Sequence, residues 1–513
     1  MTITIVGLGP GDPIHLTRHA WHVLSQAEEV CLRTTRHPTV AGLPAHLTLR
    51  SFDELYETLD DFREVYQTIA EQIITLGRRS EGVIYAVPGH PLVGEASVQH
   101  ILARAHEEGL AISIVEGLSF IEPVLSVLGI DGLAGLQLAD ATDLATAHHP
   151  PLDPDRPALI GQLYARRLAS QVKLTLMNAF PDEHPVTLVW AAGTEASSSV
   201  TIPLYELDRD HELDHLTSLY VPSLPGVGGL PRLQETIARL RATNGCPWDR
   251  EQTHQSLRAN LLEETYEVLA ALDAEDDGTL CEELGDLLMQ IVMHVQIASE
   301  EGSFRFADVI GRIDAKLKRR HPHVFGESKV RSTADVLRTW EAIKARERAD
   351  LPGELSAPPP DSGDLSQAVS GERKVHRSRL DSVPTVLPAL TRAQALSDRA
   401  ARVGFDWPDV AGVVDKVGEE VAELRAAADP KTREQELGDL LFSLVNVARW
   451  LGVDAESALR TTCDRFACRY ARMEQEAHAQ GLDLSALPLA EQNAMWERAK
   501  DEGCEPEYFS GGA

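Results

Sequence analysis

The 513-residue sequence predicts a multidomain protein in which an N-terminal α/β unit precedes two related all-α units. Three observations predict it. Up to about residue 222, short β-branched runs (3–6, 83–87, 112–115) alternate with helical stretches (62–76, 96–108), the texture of a mainly parallel sheet. Beyond that point strand signals nearly vanish. Apolar residues then recur at three- and four-residue spacing, as in Leu284, Leu287, Leu288, Ile291, Val292 and Val295, the stripe of amphipathic helices in a bundle. Third, the helical half repeats itself. Glu263-Glu264-Thr265-Tyr266-Glu267 is followed by Glu283-Leu284-Gly285-Asp286-Leu287-Leu288. Farther on, Glu419-Glu420-Val421-Ala422-Glu423 is followed by Glu436-Leu437-Gly438-Asp439-Leu440-Leu441. Each copy ends in a tryptophan–lysine pair, Trp340/Lys344 and Trp496/Lys500, and nearly constant offsets mark two divergent copies of one unit.

Composition breaks set the boundaries. The Pro/Gly-rich segment 221–231 cannot continue a helix or a central strand. Residues 351–384 contain Ala357-Pro358-Pro359-Pro360-Asp361-Ser362-Gly363, read as a flexible or polyproline-like linker. The expected division is 1–222 (α/β), 223–350 and 385–503 (helical), with a linker at 351–384 and a tail at 504–513.

The chain carries 79 acidic and 48 basic residues, a formal charge of −31, and is 43% hydrophobic. Such an apolar share excludes wholesale disorder, and the acidity excludes nucleic-acid polymers and anionic membranes, whose phosphates need clustered Lys and Arg. Six scattered cysteines without a CxxC read as reduced thiols of a cytoplasmic protein. The N-terminus enters a strand directly and has no signal-peptide pattern. No apolar run approaches the roughly 20 residues of a membrane span.

Spacing gives the acidic clusters their chemistry. Residues at i and i+3 or i+4 share a helix face, so Glu264 and Glu267 project together, as do Glu283 and Asp286 on the next helix. Residues 273–278 supply a turn that lets the two helices run antiparallel and oppose four carboxylates. The same construction holds for Glu420, Glu423, Glu436 and Asp439. A lone EExxE commonly just solvates a helix face. The doubled pattern, paired each time with ExxD beside a Leu-Leu run, instead selects a hard divalent cation, Mg²⁺ or Mn²⁺.

These residues, with Cys246-Pro247-Trp248-Asp249 upstream and Arg319-Arg320-His321-Pro322-His323-Val324-Phe325 downstream, resemble the MazG family of nucleoside triphosphate pyrophosphohydrolases. The second copy resembles the partner unit of two-unit members through Val403-Gly404-Phe405-Asp406-Trp407 and 445–449. The resemblance covers about residues 225–503. It implies an all-α, usually dimeric fold that hydrolyses nucleoside triphosphates to monophosphates and pyrophosphate with Mg²⁺. It further implies that Glu263 or Glu419 orients or deprotonates the attacking water. Lys316, Arg320, Trp340 and Lys344 would contact the nucleotide in the first copy, and Arg465, Arg469, Trp496 and Lys500 in the second. Arg465 stands where the family has Lys, keeping charge but changing its geometry. Trp340 and Trp496 stack on a base or pack between helices; His321 and His323 read as a structural turn.

In the α/β unit, Gly9, Pro10 and Gly11 follow the first strand in Gly7-Leu8-Gly9-Pro10-Gly11-Asp12-Pro13, without the Lys-Ser/Thr of a Walker A loop. Gly89, His90 and Pro91 and the segment 115–120 follow two further strands, and so reach one crevice at the strands' C-terminal ends. Together they resemble the tetrapyrrole (corrin/porphyrin) methylase family over about residues 1–222. That implies a two-lobed fold binding S-adenosylmethionine, with Gly9, Pro10, Gly11, Gly89, His90 and Pro91 at the cofactor. The family's G-D-P reads Gly-His-Pro here. The acceptor is left open among a tetrapyrrole, another methyl acceptor, and binding without turnover. Two alternatives to pyrophosphohydrolysis stand: a methyltransferase with regulatory helical units, and a non-enzymatic metabolite sensor.

Overall fold

The structure is a computed structural model that describes residues 2–326 apart from Asp60 and Val227, residues 383–501, and scattered positions between 327 and 382. The linker expected at 351–384 lies almost entirely, and the tail expected at 504–513 wholly, outside the described residues, as does Lys344. The chain divides into two compact units, Met1–Gly353 and Glu354–Ala513.

The first unit begins with a lobe whose strands β1 (Thr2–Gly7), β2 (Glu29–Leu32), β3 (Thr48–Ser51), β4 (Val83–Val87) and β5 (Ala111–Val115) lie in the order β3-β2-β4-β1-β5. Every neighbouring pair is parallel. Alternating side chains serve opposite faces. Ile3, Ile5 and Tyr85 pack on Ile69 and Ile73 of helix Phe62–Gly77 and Ile101 of helix Ala96–Glu108, whereas Val6, Val30 and Leu32 pack on Leu24 of helix Arg18–Gln26. Burial on both faces is why these strands read as continuous β-branched runs.

The second lobe departs from the expectation of a mainly parallel sheet. Its strands β6 (Gln137–Asp140), β7 (Ala158–Gly161), β8 (Pro185–Trp190), β9 (Ser198–Pro203) and β10 (Thr217–Val221) lie in the order β6-β7-β10-β8-β9, and only β6 and β7 are parallel. For β8 and β9 the cause is the short connection 191–197 between them. With Ala191 at φ 45° and Gly193 at φ 85°, it turns the chain straight back, whereas a parallel pair needs a long crossover. The Pro/Gly segment that follows is tied down: Leu224 N–H donates to the Pro154 carbonyl at 2.8 Å, and the N–H groups of Gly228 and Gly229 donate to the Asp155 carboxylate at 2.7 and 3.1 Å.

From Leu230 onward every element among the described residues is helical, as predicted. In the first copy, helices Leu230–Arg241 and Asp277–Glu300 share a core of Ile237, Val292, Met293 and Ile297, with Leu257. Helix Arg258–Ala274 turns into Asp277–Glu300 through Glu275 at φ 53° and Asp276, whose carboxylate accepts from Gly278 and Thr279 N–H. Leu284, Leu288 and Ile291, expected inside a bundle, are instead 39–48% exposed. In the second unit, helices Ala389–Ala401, Val410–Ala426, Pro430–Trp450, Ala455–Ala479 and Leu489–Asp501 repeat the pattern. Leu437, Leu441 and Leu444 form the matching stripe, 46–49% exposed. Cys31, Cys246, Cys281 and Cys463 are free. Cys468 is disulfide-bonded, which corrects its reading as a reduced thiol.

Arg241 rivets the first helical unit. Its side chain, 7% exposed, pairs with Glu300 at 2.8 Å and donates to the Gln252 carbonyl at 3.1 Å. The Arg241 hydrogen bonds hold the Glu300 carboxyl below the usual glutamate range. A depressed carboxyl contributes stability that is full above its unfolded pKa and is lost as pH falls through the folded one. Arg241→Met is therefore expected to lower the melting temperature at pH 7 and to flatten the acid limb below about pH 4.3; thermal melts at pH 3–7 check both.

Candidate active site

Two helix hairpins carry the acidic clusters. In the first, ligand oxygens of Glu264, Glu267 and Glu283 lie within 4.8 Å of one another. Asp286 falls outside that triad, yet its charge acts on both Glu264 and Glu283. Burial, a hydrogen bond with Glu267, and the charges of Asp286 and Glu267 raise the Glu264 carboxyl above the glutamate range; burial and Glu267 do the same to Glu283. The buried Gln290 amide nitrogen is 3.4 Å from Glu264 Oε1.

The second cluster repeats the geometry with Glu420, Glu423 and Glu436, again within 4.8 Å. Burial and the charges of Glu423, Glu420 and Asp439 raise the Glu436 carboxyl. Glu420 is 4% exposed, and its Oε2 is buried with no hydrogen-bond partner. A residue that sequence reasoning missed stands here: Lys416 Nζ lies 3.0 Å from Glu419 Oε1 and 2.9 Å from Glu420 Oε1. Its position three and four residues before the Glu-Glu pair was the available signal.

The expected nucleotide contacts fall on the following helices. The Arg320 guanidinium lies 5.7 Å from the Trp340 ring centre, and Arg469 lies 5.6 Å from that of Trp496, so both copies form one cation–π pair. Glu347 also binds Arg320 at 2.7 Å. Phe466 packs on Trp496 at 5.1 Å. Arg465 donates to Thr462 at 2.9 Å, Lys500 pairs with Glu497 at 3.5 Å, and Lys316 is half-buried on helix Phe306–Arg320. The hydrogen bonds and ion pairs described for these side chains do not reach the carboxylate clusters.

In the N-terminal lobe the two predicted loops meet. Gly9 N–H donates to Gly89 O at 3.2 Å and Gly89 N–H to Gly9 O at 2.8 Å, with φ of 74° and 65° that favour glycine. This bridge sits between β1 and β4, where chain connections leave in opposite directions, the position at which open α/β sheets bind ligands. The loop after β5 joins them: a Cβ on Gly7 would lie 2.6 Å from Gly117 N, and one on Gly117 2.4 Å from Gly89 O. Pro10 and Pro91 are buried beside it, and His90 Nδ1 accepts from Leu92 N–H at 3.1 Å.

Residues 252–325 match the MazG nucleotide pyrophosphohydrolase domain and residues 2–208 the tetrapyrrole (corrin/porphyrin) methylases. The nucleoside triphosphate pyrophosphohydrolase/pyrophosphatase MazG of Thermotoga maritima is 42% identical over 52% of this chain and 94% of its own. The chain belongs to the MazG family. The nucleoside triphosphate pyrophosphohydrolase of Escherichia coli K12 is also 42% identical, over 53% of this MazG chain and 97% of its own. The Bacillus subtilis protein named uncharacterized protein YabN is 40% identical over 97% of this chain and 98% of its own, so it shares the whole arrangement. Among solved structures, uroporphyrin-III-C-methyltransferase of Thermus thermophilus covers 43% of the chain and 92% of its own at 23% identity, TM-score 0.35. The matched MazG segment includes Glu263, Glu264, Glu267, Glu283, Asp286, Lys316 and Arg320.

Proposed function

We propose that the helical half hydrolyses nucleoside triphosphates to the monophosphate and pyrophosphate, with Mg²⁺ or Mn²⁺ held among its carboxylates. One observation carries the reading: the chain gathers three carboxylates within 4.8 Å twice over, in a sequence 42% identical to relatives named for that reaction. The donor set fits a hard cation, being all oxygen. The raised carboxyls of Glu264, Glu283 and Glu436, and the partnerless buried oxygen of Glu420, fit it too. A bound divalent ion would neutralise the triphosphate and lower the pKa of a bound water.

The chain's own groups divide the remaining work. Glu264, Glu267, Glu283 and Asp286, or Glu420, Glu423, Glu436 and Asp439, hold the ion. Glu263 and Glu419, each one residue before a ligand on the same helix, orient the water and accept its proton. The guanidinium groups of Arg320 and Arg469 bind phosphate oxygens while Trp340 and Trp496 offer a stacking face. Lys316, Arg465 and Lys500 add charge around the phosphates. Pyrophosphate release over a panel of NTPs and dNTPs tests the reading; no Mg²⁺-dependent product from the intact chain would sink it.

The exposed stripes Leu284/Leu288/Ile291 and Leu437/Leu441/Leu444 support a homodimer in which they are covered, since contiguous apolar faces on helices mark interfaces. The described residues include no helix long and apolar enough to cross a membrane.

The interlaced glycine loops support a second activity, binding of S-adenosylmethionine at Gly9, Pro10, Gly11, Gly89, His90 and Pro91. At Gly11, φ is 153° and a Cβ would lie 2.7 Å from Thr194 Cγ2. Gly11→Trp is therefore expected to abolish binding that calorimetry detects in the wild-type chain. Absence of binding in the wild type would remove this reading and leave pyrophosphohydrolysis standing.

A further inference from the structure

We infer that Lys416 is a resident counter-cation that weakens and orders metal uptake by the second acidic cluster, and that its absence makes the first cluster the tighter metal site. The inference rests on the metal reading proposed above. The copies align without a gap over 260–267 and 416–423: Glu263, Glu264 and Glu267 fall on Glu419, Glu420 and Glu423, but Asn260 falls on Lys416.

Helix geometry turns that one difference into a local charge. Neighbours at i+3 and i+4 share a face, so the Lys416 ammonium reaches both members of the Glu-Glu pair, at 3.0 and 2.9 Å. An amide at 260 supplies no charge. The first cluster relies instead on neutral Gln290, 3.4 Å from Glu264 Oε1. The repeat offset of the second acidic motif puts Ser443 at that place in the second copy, too short for the same role. One cluster thus tempers its repulsion with an amide, the other with an ammonium.

The consequence for a divalent ion follows from which oxygens are left. Lys416 occupies Glu420 Oε1, while Oε2 is buried without a partner. Glu420 therefore offers one oxygen, held in place before metal arrives, beside Glu423 and Glu436. An ion there meets a fixed ligand but also an ammonium across the same carboxylate. An ion among Glu264, Glu267 and Glu283 meets no such cation among the described residues. Lys416 is a positioning residue, acting on metal through Glu420 and Glu419.

The test is Mn²⁺ binding to the full-length, EDTA-stripped protein, followed by electron paramagnetic resonance of free Mn²⁺. Two classes of site are expected, the weaker one removed by Glu423→Gln. Lys416→Asn should tighten that weaker class about three- to tenfold, the size of one partly screened charge at this range. Lys416→Arg should leave it unchanged, and Asn260→Lys should loosen the tighter class by a similar factor. Affinities within twofold of wild type in both Lys416→Asn and Asn260→Lys overturn the inference, as does Lys416→Arg behaving like Lys416→Asn. Mn²⁺ binding to neither cluster removes the metal reading together with this one, whereas two equal classes insensitive to the swaps remove this one alone.

Discussion

Combining Glu264→Gln/Glu267→Gln with Glu420→Gln/Glu423→Gln in one chain is expected to lower Mg²⁺-dependent pyrophosphate release by at least about a hundredfold. Loss of an outer-shell partner alone costs about 10- to 100-fold, and these substitutions remove the proposed ligands themselves. The two double variants, made separately, report how the activity divides between the copies. Their metal-free stabilities should move in opposite directions, and the response to added Mg²⁺ then separates a metal site from a merely charged face. In the first cluster Glu264 and Glu267 repel each other and Asp286, with the neutral Gln290 amide as the donor to Glu264 among the described residues. Amides there relieve repulsion and raise the melting temperature in EDTA. In the second, Glu420→Gln takes the charge from a buried group that pairs with Lys416 at 2.9 Å. That should lower the EDTA melting temperature despite the repulsion relieved at Glu436. Added Mg²⁺ should stabilise the wild type and neither altered cluster. Full turnover in the combined variant would exclude the carboxylates from the reaction.

The parts of this arrangement that the sequence carries are the ones encoded by short-range spacing. EExxE and ExxD, brought together by the turn at Glu275 and Asp276, needed only helical periodicity. The first sheet was legible because strands buried on both faces are β-branched throughout. Strand direction in the second lobe was not, since for β8 and β9 it is decided by the backbone of the turn at Ala191 and Gly193. Nor does an apolar stripe say what covers it: Leu284, Leu288 and Ile291 have the period of a core face and lie at the surface. Lys416 was hidden for a different reason. The repeat was recognised from what the copies share, and Lys416 lies where they differ. The bridge of Gly9 to Gly89 spans 80 residues and is visible in the sequence only as two glycine loops after two strands.

In the same lobe, Arg33 and Glu95 are expected to behave as a single buried unit whose loss is costly. Arg33 follows β2 and Glu95 follows β4, joined at 2.8 Å with the Glu95 side chain 4% exposed. Burial pushes the Glu95 carboxyl up to about 7, with Arg33 pulling against it. Glu95 Oε2 and Arg33 Nε are buried with no hydrogen-bond partner. Removing one member of such a pair leaves an uncompensated buried charge and costs about 3–5 kcal/mol, so Glu95→Ala and Arg33→Met should each destabilise the first lobe by that order. The two differ in pH dependence. Without Arg33 the Glu95 carboxyl rises further above its unfolded value. The folded state then binds the extra proton, and stability is lost as pH rises through the folded pKa. Arg33→Met should accordingly be more stable at pH 6 than at pH 8 relative to wild type, and Glu95→Gln should abolish that slope. The double variant Arg33→Met/Glu95→Gln should cost less than the sum of its parts, because it leaves no charge to compensate. Urea unfolding of the four proteins at both pH values measures the coupling. Additive costs with no pH slope in Arg33→Met would show two independent surface charges. The Arg33 backbone N–H donates to the Ala86 carbonyl at 3.0 Å, which ties this residue to the end of β4 from which Gly89 reaches Gly9. The S-adenosylmethionine binding proposed for these loops should weaken in step with the lost stability.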